Sequence, residues 1–397
     1  MLCSILKYHI DMKKEEFAEK YPGKLVKIPE GILAFVPDPL PPIIDFNDRE
    51  LINLNSDATL AVGELKGLGR NLQNPYLLIG PLSYREAIDS SELEGTIATA
   101  EEVALLEASP SRKVEREEIA EVRNYVRSMQ HGLKLLDQLP MSKRLIRELH
   151  KQLLQGVRGQ ERNPGEFRKH QNHIGQLGES PENARFVPPP VNSMGKCLDE
   201  FETYLNSERT YPPLVELAII HYQFEAIHPF MDGNGRVGRL LMVLLLCHWK
   251  LLPQPLLYMS GFFGRHKEAY KDLLLGISQR SNWVEWVKFF LRGVVEQSHD
   301  SIQRSEKLLS LQGDYRELLQ SARSSALTLK LVDSLFETPY LTMQRAASML
   351  GVTNRTSQRH IQKLVETGIL EEATGETRNR VYLARDILGV IEKQYNV

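Results

Sequence analysis

The stretch His228-Pro-Phe-Met-Asp-Gly-Asn-Gly-Arg-Val-Gly-Arg239 decides the reading of this chain. Gly233 and Gly235 admit backbone angles closed to other residues, so the N–H groups around Asn234 can converge on one anion. A helix starting near Arg236 would point its positive end at the same place, which makes the loop a phosphate cradle. Arg236 and Arg239 share one face of that first turn, where two forked guanidiniums can hold neighbouring phosphates. Asp232 is the loop's single carboxylate and is placed to hold Mg²⁺, which takes oxygen ligands and keeps several waters. His228, fixed by Pro229 at the mouth of the cradle, is suited to remove a proton from an attacking hydroxyl. A bare Gly-Asn-Gly would read as a tight turn and His228 as a core histidine. Base, acid, two glycines and two helix-phased arginines within twelve residues favour phosphate chemistry.

Around this loop the pattern is helical. Apolar periodicity predicts helices over 48–70, 81–108, 113–137, 141–157, 192–208, 213–227 and 236–249, with two or three more between Ser260 and Gln297. Residues 20–45 are dense in Pro and Gly and read as extended segments and turns, and 163–190, with Asn163-Pro164-Gly165 and three prolines at 188–190, as a hairpin or flap. Residues 299–337 form a polar helical connector. Beyond it, 342–351, 355–368 and 369–383 read as helix, turn, helix and two-stranded wing. The fold class expected is therefore mainly α: a helical core with a β-hairpin flap, plus a C-terminal winged helix-turn-helix domain. The expected divisions are 1–105, 106–298, 299–337 and 338–397.

With 397 residues, two or three domains are expected at roughly 150 residues each. The 42% hydrophobic and 25% charged residues argue against global disorder, and the formal charge of -2 supplies no whole-molecule field for nucleic acid or membrane. Cys3, Cys197 and Cys247 lie far apart, as in a reducing compartment, so the expected location is cytoplasmic. Charge follows the first short apolar run, and Leu240–Trp249 is about half the ~20 residues a membrane span needs, so neither signal peptide nor anchor is expected. His221, Glu225 and His228 lack the i, i+4 histidine spacing of a zinc helix, and Trp283 and Trp286 read as helix core.

The stretch His228–Arg239 resembles the signature of the Fic family, His-x-Phe-x-(Asp/Glu)-Gly-Asn-Gly-Arg-x-x-Arg, at every fixed position. The resemblance implies a helical, Mg²⁺-dependent enzyme that moves AMP from ATP to a protein hydroxyl. It makes His228 the base, Asp232 the metal ligand, and Gly233, Asn234 and Gly235 the anion hole. Arg236 and Arg239 become the β and γ phosphate holders and Phe230 the buried anchor. Ser90 to Gly95 (SSELEG) fits the family's inhibitory motif, which implies that Ser90, Glu94 and Gly95 present a carboxylate to Arg239. AFVPDPLPP (34–42) and VGELKG (62–67) look like the companion region often joined to such cores. HQNHIG (170–175) and ARFVPPP (184–190) look like the hairpin that aligns a target strand, with His173 where an aromatic is usual. Tyr270, preceded by Ala269 where the family often carries a second tyrosine, falls on the adenine side.

The function expected is thus an autoinhibited protein adenylyltransferase acting on Ser, Thr or Tyr of a protein target or of itself. Two alternatives stay open: a DNA-binding regulator with a nucleotide-sensing core, and removal of AMP at the same site with Glu94 activating water. Residues 340–385 carry seven basic against four acidic residues, a local +3, with Arg355, Gln358, Arg359 and Lys363 on the expected outer face of the second helix. That face would meet DNA or dock a protein, and association into a homodimer is also left open.

Overall fold

The computed structural model describes residues 14–29, 31–71, 76–108, 117–175 and 184–393. Strands β1 (Gly23–Lys27) and β2 (Leu33–Pro37) pair antiparallel, Gly23 opposite Pro37, and give the Pro/Gly-rich entry segment its extended form. Then come α1 (Arg49–Asn71), α2 (Tyr76–Leu93), α3 (Ala100–Ala108), α4 (Glu117–Leu135) and α5 (Lys143–Leu153). After the flap follow α6 (Val191–Leu205), α7 (Pro213–Ile227), α8 (Asn234–His248), α9 (Ser260–Arg265), α10 (Lys267–Arg280) and α11 (Trp283–Ser321). The final part holds α12 (Ala326–Glu337), β3 (Tyr340–Thr342), α13 (Met343–Leu350), α14 (Asn354–Glu366), β4 (Glu371–Glu372), β5 (Val381–Leu383) and α15 (Arg385–Glu392). The chain is mainly helical with small antiparallel sheets.

Helix α7 lies at the centre. All its residues except Pro213 and Glu225 are buried, because its sequence is apolar on every side and must be enclosed. Helix α8 packs against it, and α4 packs against α2, α5 and α8, so the turn between α7 and α8 is held inside a helical shell. Trp286 is wholly buried and donates its indole N–H to the Ala218 carbonyl of α7 at 2.9 Å, while Trp283 is 4% exposed. Among the described residues, no helix is long and apolar enough to cross a membrane.

The structure departs from the sequence reading at the end of α2 and along α11. The helical stretch 81–108 is broken into α2 and α3, since Gly95 takes a left-handed φ of +89° and the Thr96 N–H turns back to the Ser91 carbonyl at 2.9 Å. The flap is joined by a single bridge, Ile174 to Phe186, and the rest of the expected hairpin, 176–183, lies outside the described residues. Helix α11 is continuous for 39 residues, running through the point where core and connector were expected to divide. In the last part, β3, β5 and β4 form one antiparallel sheet in that order, with Tyr340 and Glu371 on either side of Leu383.

This last part is packed directly on α2. Arg85 of α2 donates to the Glu392 carbonyl at 3.1 Å, and Arg304 of α11 to the carbonyls of Val390 and Ile391 at 2.6 and 3.1 Å. The Ala100 N–H at the start of α3 reaches Glu392 Oε1 at 2.9 Å. Gly80 of α2 lies so close to α12 that an added Cβ would stand 2.5 Å from the Glu337 carbonyl oxygen. Gly80→Ala is therefore expected to destabilise the protein by about 1–3 kcal/mol, the usual cost of overpacking a rigid contact. Gly195→Ala, at a helical site with open space around it, should be neutral or stabilising by up to about 1 kcal/mol. Chemical denaturation of the two variants checks this, and equal stabilities would contradict the close packing of α2 on α12.

Candidate active site

The α7–α8 loop is built by opposing demands on its backbone. Helix α7 ends at His228, whose φ of 48° is left-handed and whose N–H still closes on the Phe224 carbonyl at 3.0 Å; Pro229 cannot continue the helix. The turned carbonyls are then caught from the flap. Arg168 Nε donates to the His228 carbonyl at 3.0 Å, and Asn172 Nδ2 donates to those of His228 and Phe230 at 3.2 and 2.8 Å. Phe230 is wholly buried, its ring stacked on His150 with centroids 3.7 Å apart. The Asn234 side chain brackets Phe230, accepting from its N–H at 2.8 Å and donating to its carbonyl at 2.9 Å. His150 Nδ1 accepts the Gly165 N–H at 2.8 Å, so the proton sits on Nε2, which donates to the Asp232 carbonyl at 3.1 Å. Burial pushes His150 down to about 4, keeping that tautomer neutral.

At the cradle, Gly233 takes a φ of +76° and α8 opens at Asn234. A Cβ on Gly235 would lie 2.4 Å from Glu94 Oε1 and 2.9 Å from Arg239 Nη1, so this glycine is required for the carboxylate to sit on the first turn of α8. Arg239 is 2% exposed. Its Nη2 donates to Glu94 Oε1 at 2.8 Å and to the Ser90 carbonyl at 2.9 Å, and its Nε donates to Ser90 Oγ at 2.8 Å. Burial alone would raise the Glu94 carboxyl, but the Arg239 charge and hydrogen bond outweigh it and hold the group below its ordinary value. Glu94 lies one residue past α2, its N–H closing a tight turn on the Ser91 carbonyl at 3.0 Å, and Gly95 ends that turn.

His228 Nδ1 lies 3.2 Å from the Glu225 carbonyl, which takes its proton and leaves Nε2 as the basic nitrogen. Burial pushes the imidazole down to about 4, with the Glu225 carbonyl and Glu94 opposing and Arg168 adding to the shift, so His228 is neutral at physiological pH. Asp232 is 37% exposed on its side chain, and its Oδ1 accepts the Gly233 N–H at 2.6 Å. Among the described residues no three ligating side chains gather. One accessible carboxylate beside a phosphate cradle fits a cation that takes most of its oxygens from substrate phosphates and water.

Arg236 is wholly buried beside the cradle: its Nη1 donates to Glu121 Oε2 at 3.0 Å, its Nη2 lies 3.7 Å from Asp232 Oδ1, and its Nε and Nη2 meet no hydrogen-bond partner among the described residues. Glu121 also accepts from Thr96 Oγ1 at 2.9 Å and so ties the base of the cradle to the segment after Glu94. Tyr270 is buried, stacked on Phe263 at 4.4 Å and hydrogen-bonded to His221 Nε2 at 2.9 Å. It lines a cavity of about 200 Å³ whose polar end holds Glu94, Glu225, His228 and Arg239, and whose apolar end holds Phe186 and Leu274.

Sequence reasoning missed Arg168, Asn172, His150 and Glu121. Each is a polar residue in a polar stretch, and only its burial against the loop distinguishes it from a solvated one.

Two family models match this chain: the Fic/DOC family N-terminal model over residues 52–134 and the Fic/DOC family model over 140–246. The first span contains Ser90–Gly95 and the second His228–Arg239. The protein adenylyltransferase Fic of Drosophila yakuba is 32% identical over 211 residues, covering 50% of this chain and 38% of that protein. A probable protein adenylyltransferase of Aquifex aeolicus (strain VF5) is 26% identical over 201 residues, covering 51% and 58%. The matched region thus spans about two fifths of the first relative and under two thirds of the second. A Fic family protein from Desulfovibrio desulfuricans G20 shares the fold, with a TM-score of 0.56 at 20% identity over 87% of this chain and 98% of that one. With both family regions matched in order and each carrying one half of the Glu94–Arg239 contact, residues 52–134 and 140–246 are Fic/DOC family regions, homologous to those of the protein adenylyltransferases named Fic.

Proposed function

We propose that the protein is an autoinhibited protein adenylyltransferase, moving AMP from ATP to a Ser, Thr or Tyr hydroxyl of a protein target or of itself. The observation that carries this reading is the Glu94 carboxylate lying on Gly235 and Arg239, where the same cradle would take the end of a nucleotide triphosphate. In the reaction, neutral His228 accepts the hydroxyl proton on Nε2 as the hydroxyl oxygen bonds to the α phosphorus. The bond from that phosphorus to the bridging oxygen of the β phosphate breaks, and pyrophosphate leaves. The N–H groups of the Gly233–Gly235 turn face the charge that grows on the α phosphate. Arg239, once released from Glu94, holds the γ phosphate. Asp232 would hold Mg²⁺, which neutralises phosphate charge when bound. The bridge from Ile174 to Phe186 supports a flap edge on which a target strand would be laid.

Helices α13 and α14, each capped by a threonine hydroxyl, with the sheet of β3, β5 and β4, support a winged-helix reading of the C-terminal part. Arg355, Gln358 and Arg359 are exposed on α14 and Lys363 is half-buried, a surface on which duplex DNA is the proposed partner.

Glu94→Gly should raise AMP transfer ten- to a hundredfold, since a displacement of about 1 Å at the reacting centre costs on the order of a hundredfold in rate. Adding His228→Ala should abolish it, and Arg239→Ala should be inactive with or without Glu94. Transfer of label from the α phosphate of ATP to this protein and to lysate proteins measures all of these. A Glu94→Gly protein no more active than its parent would reject autoinhibition.

Arg355→Ala with Arg359→Ala should weaken DNA binding and flatten its salt dependence by about one counterion per lost phosphate contact, while AMP transfer survives. A salt titration of binding to genomic fragments checks it; a parent that binds none at low salt would turn the reading to protein docking.

A further inference from the structure

Glu225 is a largely enclosed carboxyl for which the reaction just described has no use. It sits on the last turn of α7, three residues before His228, with its side chain 12% exposed. One oxygen, Oε2, is 3.9 Å from His228 Nδ1, while Oε1 is fully enclosed and meets no donor. A dehydrated, unbonded oxygen favours the neutral carboxyl, and the accessible remainder of the side chain belongs to the cavity wall, where a ligand can meet it. Its neighbours on the cavity wall already have partners: Glu94 has Arg239, Tyr270 has His221, and Tyr222 has Ser278.

Its position is also made by the sequence of the cradle. A Cβ on Gly238 would lie 2.4 Å from Glu225 Oε1, so the glycine between Arg236 and Arg239 is what admits this carboxyl to the first turns of α8. Glu225 and Glu94 thus approach the same helix beside the same arginine, one against Gly238 and the other against Gly235. Glu94 takes the hydrogen bond of Arg239 and Glu225 does not.

We propose that Glu225 is a further phosphate-contacting residue of this site, meeting a phosphate oxygen of the bound nucleotide as a neutral carboxyl donor. The inference rests on the proposed function and deepens it. An ionised carboxylate there would repel a phosphate, whereas the protonated form offers an O–H in a dry setting, where such bonds to anions are strong. Burial pushes Glu225 up to about 8, with Glu94 adding and Arg239 opposing. The other charged or titratable groups lining the cavity are His228, Arg185, Tyr222, Tyr270 and Lys271, and burial holds both tyrosines above their ordinary value. His228 is already neutral above about 4 and adds no proton change between pH 7 and 9. Since Glu225 loses its proton as pH rises through about 8, ATP affinity should be intact below that pH and fall above it.

The test uses the full chain carrying Glu94→Gly, with ATP and adenosine affinities measured by calorimetry from pH 7 to 9. Without Glu94, whose charge helps to hold Glu225 up, the fall in ATP affinity should begin below the parent's value of about 8 and run toward tenfold per pH unit, while adenosine affinity stays level. Glu225→Gln, which keeps a neutral donor of the same size, should bind ATP within about threefold of its parent at pH 7 and lose the pH dependence. Binding of ATP at pH 8.5, compared in buffers of different ionisation enthalpy, should take up roughly one proton. A pH fall that persists in Glu225→Gln, or no proton uptake by the Glu94→Gly protein, would overturn the proposal while leaving the adenylyltransferase reading intact. Failure of the Glu94→Gly protein to bind ATP at any pH would overturn both.

Discussion

Everything around the candidate active site is arranged about the Arg239 guanidinium. It is buried, charged at any relevant pH, and satisfied from one side by the end of α2: the Ser90 hydroxyl, the Ser90 carbonyl and the Glu94 carboxylate. A buried cation left without partners would be strongly destabilising, so α2 must lie on α8 unless something else supplies negative charge. A triphosphate is such a substitute. On the proposed function, Glu94 and the triphosphate therefore compete for one set of hydrogen-bond donors, which in the structure are bonded to Ser90 and Glu94.

The loop that carries His228 is rigid for a different reason. Its left-handed turn exposes carbonyls that would be orphaned in a helical interior, and Arg168, Asn172 and His150 bond them from the flap and from α5. Phe230 locks the turn to the core by stacking on His150. The consequence for chemistry is a histidine whose basic nitrogen is fixed by its backbone and kept neutral by its surroundings, beside Gly233, whose left-handed φ disfavours a side chain, and Gly235, where a Cβ would displace Glu94. Helix α2 is meanwhile held from outside by α12 and α15 through Arg85, Arg304 and Gly80, so the element that leads to Glu94 is the shared wall of two parts of the molecule.

Much of this was legible from local pattern. The glycines, arginines and histidine of the loop are informative because each needs a rare residue type at a fixed spacing, and the helices around it follow from apolar periodicity. The break at Gly95 was hidden because helical spacing resumes after it. Glu121, Arg168 and Asn172 could not be found because a buried polar residue that answers a distant backbone or arginine has no periodic signature. Arg236 is legible as a loop residue from its spacing, but its buried bond to Glu121 of α4 has no local signature. Glu225 was read only as a member of a rejected zinc pattern, and its meaning came from Gly238 beside it.

The central claim is that Glu94 and the nucleotide's phosphates use the same arginine. Isothermal titration of ATP into the parent and the Glu94→Gly protein, with adenosine titrated into both as the phosphate-free control, tests it most directly. The account predicts at least tenfold tighter ATP binding by Glu94→Gly with adenosine affinity unchanged. Equal ATP affinities in the two proteins, or a gain shared equally by adenosine, would contradict it.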